Sequence, residues 1–201
     1  MIDIRTAILA ASATALLGLS GCMTPIGPVE VTRFHDAARL SQLGHGTIAV
    51  ESAAGLDPKS LELASYKLAV GRELTRLGYD VVAEGAGAQV AVVRLERATI
   101  QPDGGRSPVS VGGGASVGSY GSGVGLGIGI DLSGKPKAQV DTRLGVMIRD
   151  RASDQTLWEG RASFTVRADA PLAQSQLGAP KMAAALFSDF PGNNGQTVEV
   201  K

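Results

Sequence analysis

Hydrophobic and polar positions alternate along several short segments of the chain, and this pattern predicts β-strands. Val29–His35 and Gly46–Val50 are rich in β-forming residues. Gln89–Ile100 contains a third strand, in which apolar residues give way to charged residues at every second position. Tyr79–Ala83 and Thr197–Val200 are shorter candidates.

The clearest hairpin joins Val140–Ile148 to Trp158–Val166 through a loop around residues 151–154. Each segment alternates apolar residues with polar or small ones, as a half-buried strand does. If Ile148 lies opposite Trp158, large residues tend to meet small ones across the ladder. The predicted pairs are Ile148–Trp158, Val146–Gly160, Leu144–Ala162, Thr142–Phe164 and Val140–Val166.

Two segments have the period of amphipathic helices. In the first, Asp57 suits the N-cap, Pro58 the first helical position and Gly78 the position after the last turn. The second helix is predicted to begin at Pro180 and to end before Pro191. The apolar faces consist of Leu63, Tyr66, Val70, Leu74 and Leu77 in the first helix, and of Ala183, Leu186, Phe187 and Phe190 in the second.

Residues 29–201 are therefore expected to form one α+β domain. The predicted architecture is a two-layer sandwich, in which two helices pack on one face of a mainly antiparallel sheet.

The first 21 residues have the pattern of a signal peptide. Arg5 supplies the positive charge, and Ala7–Leu19 is a run of small and apolar residues. As a helix, this run would be about 20 Å long, whereas the hydrocarbon core of a bilayer is about 30 Å thick. A permanent transmembrane helix is not expected.

The run ends in Leu19-Ser20-Gly21-Cys22, which resembles the lipobox of bacterial lipoproteins. In that motif, cleavage precedes a cysteine that carries a diacylglyceryl group, and several acyl chains give a stable membrane anchor. Cys22 is the only cysteine in the chain; the alternative is a buried free thiol. Residues 22–28 would form a short tether, and the covalent lipid is the only cofactor expected. Because Met23 stands where such lipoproteins carry an inner-membrane retention Asp, the motif favours the periplasmic face of the outer membrane.

A glycine-rich insertion extends from residue 104 to residue 134 and contains twelve glycines. Gly and apolar residues alternate strictly over 123–130, which is a strand period. Three interpretations remain open for this insertion: a hairpin between core strands, a surface for self-association or a partner protein, and a segment that touches the membrane.

The charge balance and the two histidines argue against nucleic-acid binding and against a metal site. Nineteen basic residues cancel nineteen acidic ones, so no overall field attracts nucleic acid. His35 and His45, with Asp36, make a poor metal site. Arg143, Arg149, Arg161 and Arg167 share the polar face of the hairpin with Asp141 and Glu159, which predicts a solvated mixed-charge face.

Two apparent motifs lack the context they need. Gly114–Gly118 has the letters of a G-x-S-x-G nucleophile elbow around Ser116, but no histidine follows it in the chain. Gly44–Ala49 resembles a dinucleotide-binding turn, but it precedes a strand instead of joining a strand to a helix. No catalytic residue is therefore assigned, and a weak serine hydrolase remains a distant alternative.

Several diffuse motifs together resemble the bacterial lipoprotein family called domain of unknown function 4136. They comprise the lipobox, Pro-Val-Glu-Val-Thr-Arg-Phe-His at 28–35, Leu-Gly-Tyr at 77–79, the glycine-rich middle, Leu-Trp-Glu-Gly at 157–160 and Phe-Pro-Gly at 190–192. The resemblance implies an envelope location but supplies no catalytic or ligand residues. The expected function is that of a non-enzymatic envelope module that binds or scaffolds a partner; the alternative is a structural lipoprotein that assembles with itself.

Overall fold

The computed structural model describes residues 27–101, the backbone of residues 109–118 and 121–130, and residues 137–201. The predicted signal peptide, the lipobox with Cys22 and most of the tether lie outside these residues. Each strand predicted from the sequence is confirmed, some with shifted ends. The described strands are β1 (Val29–His35), β2 (Thr47–Ser52), β3 (Asp80–Val82), β4 (Gln89–Ile100), β5 (Val109–Gly118), β6 (Gly121–Ile130), β7 (Gln139–Asp150), β8 (Thr156–Arg167) and β9 (Thr197–Val200).

The described helices are α1 (Leu61–Arg76) and α2 (Ser175–Phe187), with short 3₁₀ helices at Ala37–Gln42 and Pro171–Ala173. The fold class is therefore α+β, as predicted.

Seven strands form one mixed sheet in the order β3-β2-β4-β7-β8-β1-β9. The prediction of a mainly antiparallel sheet is wrong for one end of it, because β2 runs parallel to both β3 and β4. The physical reason is α1: a helix that connects β2 to β3 returns the chain to the end of the sheet where β2 began. The remaining neighbours pair antiparallel.

The predicted hairpin is β7–β8, and its register is confirmed at all five predicted pairs. Ile148 lies opposite Trp158 and Val146 lies opposite Gly160. Large-to-small complementarity across the ladder was therefore a sound guide to the register.

Helix α1 begins later than predicted. Its N-cap is Ser60, whose Oγ accepts a hydrogen bond from the backbone N–H of Leu63 at 3.3 Å. Asp57 instead closes a turn before the helix by accepting from the N–H of Lys59 at 2.9 Å. The sequence offered two caps three residues apart, and the second is the one the helix uses. The predicted end is confirmed, since Gly78 has a φ of +104°, which favours glycine.

Helix α2 begins earlier than predicted, so Pro180 lies inside it. The first turn is held from outside the helix, because the Ser175 hydroxyl donates to the Glu62 carboxylate at 2.6 Å. A Cβ on Gly178 would approach the Leu172 carbonyl oxygen to 2.7 Å, so this turn packs too closely for a larger residue. These contacts involve distant residues and leave no periodic signal in the sequence.

An aromatic cluster packs α2 and the segment after it against β8. The buried rings of Trp158 and Phe187 stack with centroids 5.2 Å apart, and Phe190 lies at the same distance from Trp158. Trp158 donates its Nε1–H to the Pro191 carbonyl oxygen at 2.9 Å, so its polar atom is satisfied. The Trp158 ring lies over Gly160, where a Cβ would overlap it and would come within 2.8 Å of Leu186 Cδ1.

A buried cation fixes the end of α2 to β1. Arg33 is 3% exposed, and its guanidinium donates to the carbonyl oxygens of Leu186 and Ala185, each at 2.8 Å, and to Ser188 Oγ at 2.9 Å. Burial lowers the pKa of Arg33, whereas the charge of Asp189 raises it. The positive group thus satisfies carbonyl groups that the helix end leaves without partners.

Strands β5 and β6 of the glycine-rich insertion form a separate two-stranded antiparallel sheet. Gly118 pairs with Gly121, so two residues join the strands. The hairpin interpretation of the insertion is confirmed for these backbone segments.

Replacing Gly160 by alanine should destabilise the domain by about 1–3 kcal/mol, because the added methyl group displaces the Trp158 ring from a packed core. The matched control is Gly145→Ala on the neighbouring strand, where a Cβ meets only Arg94 Cβ at 3.6 Å, an ordinary contact. Urea unfolding of both variants measures the difference. Equal midpoints would contradict this account of the aromatic cluster.

Candidate functional site

A groove of about 670 Å³ lies on the sheet face whose residues alternate with the buried ones. Five adjacent strands, β4, β7, β8, β1 and β9, contribute to its lining. Because successive residues of a strand point to opposite faces, the ladder register determines which of them meet here. The groove is thus a property of the whole sheet and not of one loop.

Two rows of paired residues cross the groove. In the first row, Arg94 lies opposite Gly145, Gly145 opposite Arg161, and Arg161 opposite Thr32. Gly145 has no side chain, so the backbone is open between the two arginines. The second row lies two residues away from the first on every strand. It consists of Glu96, Arg143, Ser163 and Glu30.

Half of the charged residues that line the groove are in ion pairs. Arg161 contacts Glu159 at 2.7 Å and Arg143 contacts Asp141 at 3.3 Å, with both arginine side chains about two-thirds exposed. Pairs this exposed contribute little to stability, about 0–1 kcal/mol. The predicted mixed-charge face is confirmed by these contacts. Arg94 differs from the other two arginines of the lining, since it has no ion-pair partner within the described part of the chain; Glu30 and Glu96 have none there either.

A second polar cluster lies on the opposite face of β4, around Arg97. Its guanidinium bonds the Glu62 carboxylate and donates to Ser175 Oγ at 2.8 Å and to the Ala173 carbonyl oxygen at 2.6 Å. Burial raises the pKa of Glu62, but hydrogen bonds from Ser175 and Arg97 lower it, and the net pKa lies below the ordinary value. Each group has a partner from another element, so the cluster joins β4 to both helices and offers no open position for a substrate.

Sequence reasoning missed the Arg97 cluster, because Arg97 lies in the part of β4 where charged residues replace apolar ones. The available signal was its parity: Arg97 shares a face with Ala91 and Val93, which are both fully buried.

The structure does not support a nucleophile elbow at Ser116. Ser116 lies inside β5 and pairs with Gly123, whereas that motif requires a sharp turn from a strand into a helix. His45 Nδ1 lies 3.1 Å from the Leu43 carbonyl oxygen. Within the described ranges, no group of three His, Cys, Asp or Glu residues could hold a metal ion.

The predicted lipid site at Cys22 and the cleavage motif Leu19, Ser20 and Gly21 lie outside the described residues. Among the helices of the described residues, none is both long and apolar enough to cross a membrane.

Arg94 and Arg97 make a matched pair, since they lie on opposite faces of one strand. Arg97→Met should lower the free energy of unfolding by about 1–3 kcal/mol, because it leaves the Ala173 carbonyl without its donor and removes one of the two donors of the Glu62 carboxylate. Arg94→Met should change it by less than about 0.5 kcal/mol, as is usual for an exposed residue. Thermal or urea unfolding measures both, and a large loss with Arg94→Met would show that this arginine has a structural role.

A search of known proteins finds distant relatives. The chain is 25% identical over 219 residues to "uncharacterized protein ZMO1243" of Zymomonas mobilis, an alignment that covers 87% of this chain and 80% of that protein. A PDZ domain protein from Parabacteroides distasonis matches with a TM-score of 0.47 and 14% identity over 94% of this chain, which spans 42% of that protein. The PelC dodecamer from Paraburkholderia phytofirmans matches with a TM-score of 0.45 and 11% identity, covering 80% of this chain and 95% of that one.

The model of one protein family, described as "Domain of unknown function (DUF4136)", matches residues 31–192. This match covers most of the chain and confirms the resemblance derived from the sequence motifs. The chain therefore belongs to the DUF4136 family.

Proposed function

We propose that this chain is a lipid-anchored protein of the cell envelope, held on the periplasmic face of the outer membrane, which binds a partner protein and is not an enzyme. The anchor is supported by the Leu19–Cys22 lipobox and by the apolar run before it. The tether of residues 22–28 is short, so the folded domain would stay close to the membrane.

The binding role is supported by the way the helices contact the sheet, which would leave one sheet face available. Helix α1 contacts β2, β3 and β4, while α2 contacts β8 and β1. We infer that both helices cover the same face, since most buried residues of β4, β7 and β8 share one parity; Val90 and Leu157 are the buried apolar exceptions. The groove lies on the other face.

The observation that carries the binding proposal is Arg94 beside Gly145. This arginine is an exposed cation in the groove, without an ion pair among the described residues, next to a position that has no side chain. A protein surface with an acidic residue at the centre of a mixed-charge patch is complementary to it, and such complementarity sets partner choice. Aromatic stacking platforms of the kind used for bases are not part of the groove lining.

Replacement of Cys22 by serine tests the anchor. Cells grown with labelled palmitate should label the wild-type protein, and Cys22→Ser should lose the label and keep residues 1–21, because the thioether cannot form. Ser20→Ala is the matched control; it keeps a small residue in the motif and should retain labelling and cleavage. Mass spectrometry showing a free thiol at Cys22 in the native protein would refute the anchor.

Charge reversal at Arg94 tests the binding face. A photo-crosslinking amino acid at Thr197, in the groove, should capture a defined partner in intact cells, and Arg94→Glu should reduce that adduct at least about tenfold, because like charges in contact cost several kcal/mol. The matched control is Arg72→Glu, which makes the same charge change on the exposed side of α1 and should leave the adduct unchanged. Equal losses in the two variants, or an adduct insensitive to both, would contradict a role of the groove.

A further inference from the structure

The two strands of the glycine-rich insertion continue the register of the β4–β7 ladder. The β4–β7 ladder ends at the pair Ile100–Gln139, and the β5–β6 ladder begins at Val109–Ile130. Eight residues separate the two ladders on each side, 101–108 and 131–138. Because the two numbers are equal, β5 and β6 pair in the register that β4 and β7 would have if their ladder were extended.

The register divides this second ladder into two unlike faces. One face holds the apolar residues of both strands together with Gly113 and Ser122. Its apolar members are Val109, Val111, Ala115, Val117, Val124, Leu126, Ile128 and Ile130. The other face holds only glycine and serine, from both strands. Strands β5 and β6 contain no charged residue, and the nearest charges in the sequence are Arg106 and Asp131.

Both edges of this two-stranded sheet lack the features that usually prevent strands from pairing with other chains. Such features are short length, charged residues and proline, and β5 and β6, each ten residues long, have none of them. The main sheet differs, because its edge strands β3 and β9 have only three and four residues. Among the described strands, long edges without charge or proline are thus found only in the insertion.

An isolated hairpin of this composition is expected to be weak. Two-stranded sheets are marginally stable in water, and each glycine within a strand costs about 0.5–1 kcal/mol relative to alanine. Pairing of each edge with a further strand would add a second ladder of hydrogen bonds to the same residues.

We propose that β5 and β6 pair edge to edge with the same strands of a second copy of this chain. A strand that fits this edge must be free of charge and must alternate glycine or serine with apolar residues, so that the apolar faces of neighbouring strands coincide. Another copy meets both conditions by identity. This proposal is independent of the lipid anchor, although an anchor would raise the local concentration of copies.

Sedimentation velocity of the full chain, purified in mild detergent with Cys22→Ala to remove the native thiol, tests the proposal over a range of protein concentrations. The mass should rise in multiples of the protomer. A variant in which an Asn-Gly turn replaces residues 101–138 should stay at the protomer mass, while its unfolding temperature shows that the β4–β7 ladder still closes at Ile100–Gln139. Wild-type chain that remains a protomer at every concentration would overturn the proposal.

Point variants distinguish strand pairing from loss of the whole segment. Ile128→Lys places a charge within β6 and should abolish the higher-mass species, whereas Ser119→Lys places the same charge between the two strands and should retain them. Equal behaviour of the two variants would overturn edge pairing.

Single cysteines introduced along β6 should form interchain disulfides with yields that alternate every second residue, because alternate residues face opposite sides. Uniform yields would point to nonspecific contact and would overturn the proposal. Protomers that bind phosphatidylglycerol vesicles through this segment without linking to each other would also overturn it, and would assign the segment to lipid.

Discussion

The antiparallel register of β4 and β7 is the constraint on which the rest of the structure depends. Because side chains alternate with a period of two, a slip of one residue would send Arg94 and Glu96 into the core and expose Val93, which is fully buried. The same register aligns Gly145 between Arg94 and Arg161 and turns Arg97 towards the helices. Core, groove and polar cluster are therefore consequences of one ladder.

The position of α2 on β1 and β8 depends on how the cost of burying a charge is offset. Arg33 is a charge removed from water, and its burial is offset by three hydrogen bonds of 2.8–2.9 Å to groups at the end of α2. Gly160 also contributes to this contact, because the absence of a side chain leaves room for the Trp158 ring above β8. Together they fix α2 at a position where α1 can also reach it, and the Arg97 cluster then joins both helices to β4.

The sequence was informative where structure is local or where two strands match each other residue by residue. β1 and β9 have the predicted bounds, and β4 fills the range that was predicted to contain a strand. The register that places Ile148 opposite Trp158, favoured because large residues then tend to meet small ones, is confirmed. It was misleading where distant contacts decide. Ser175 begins α2 because Glu62 and Arg97 bind it, and β2 is parallel because α1 returns the chain. For the candidate site, the mixed charge of the groove could be predicted from the sequence. That Arg94 has no ion pair among the described residues could be seen only in the structure.

The proposed lipid anchor and the proposed pairing strands both bear on the entropy that copies of the chain lose when they associate. Association in solution costs free energy in lost translation and rotation, so a ladder of glycine-rich strands is expected to form there only at high protein concentration. Copies held on one membrane leaflet have already lost part of that freedom, so the same ladder could suffice there. A protein with short, protected edges on its main sheet and long, uncharged edges on one extension is consistent with pairing that occurs only where copies are concentrated.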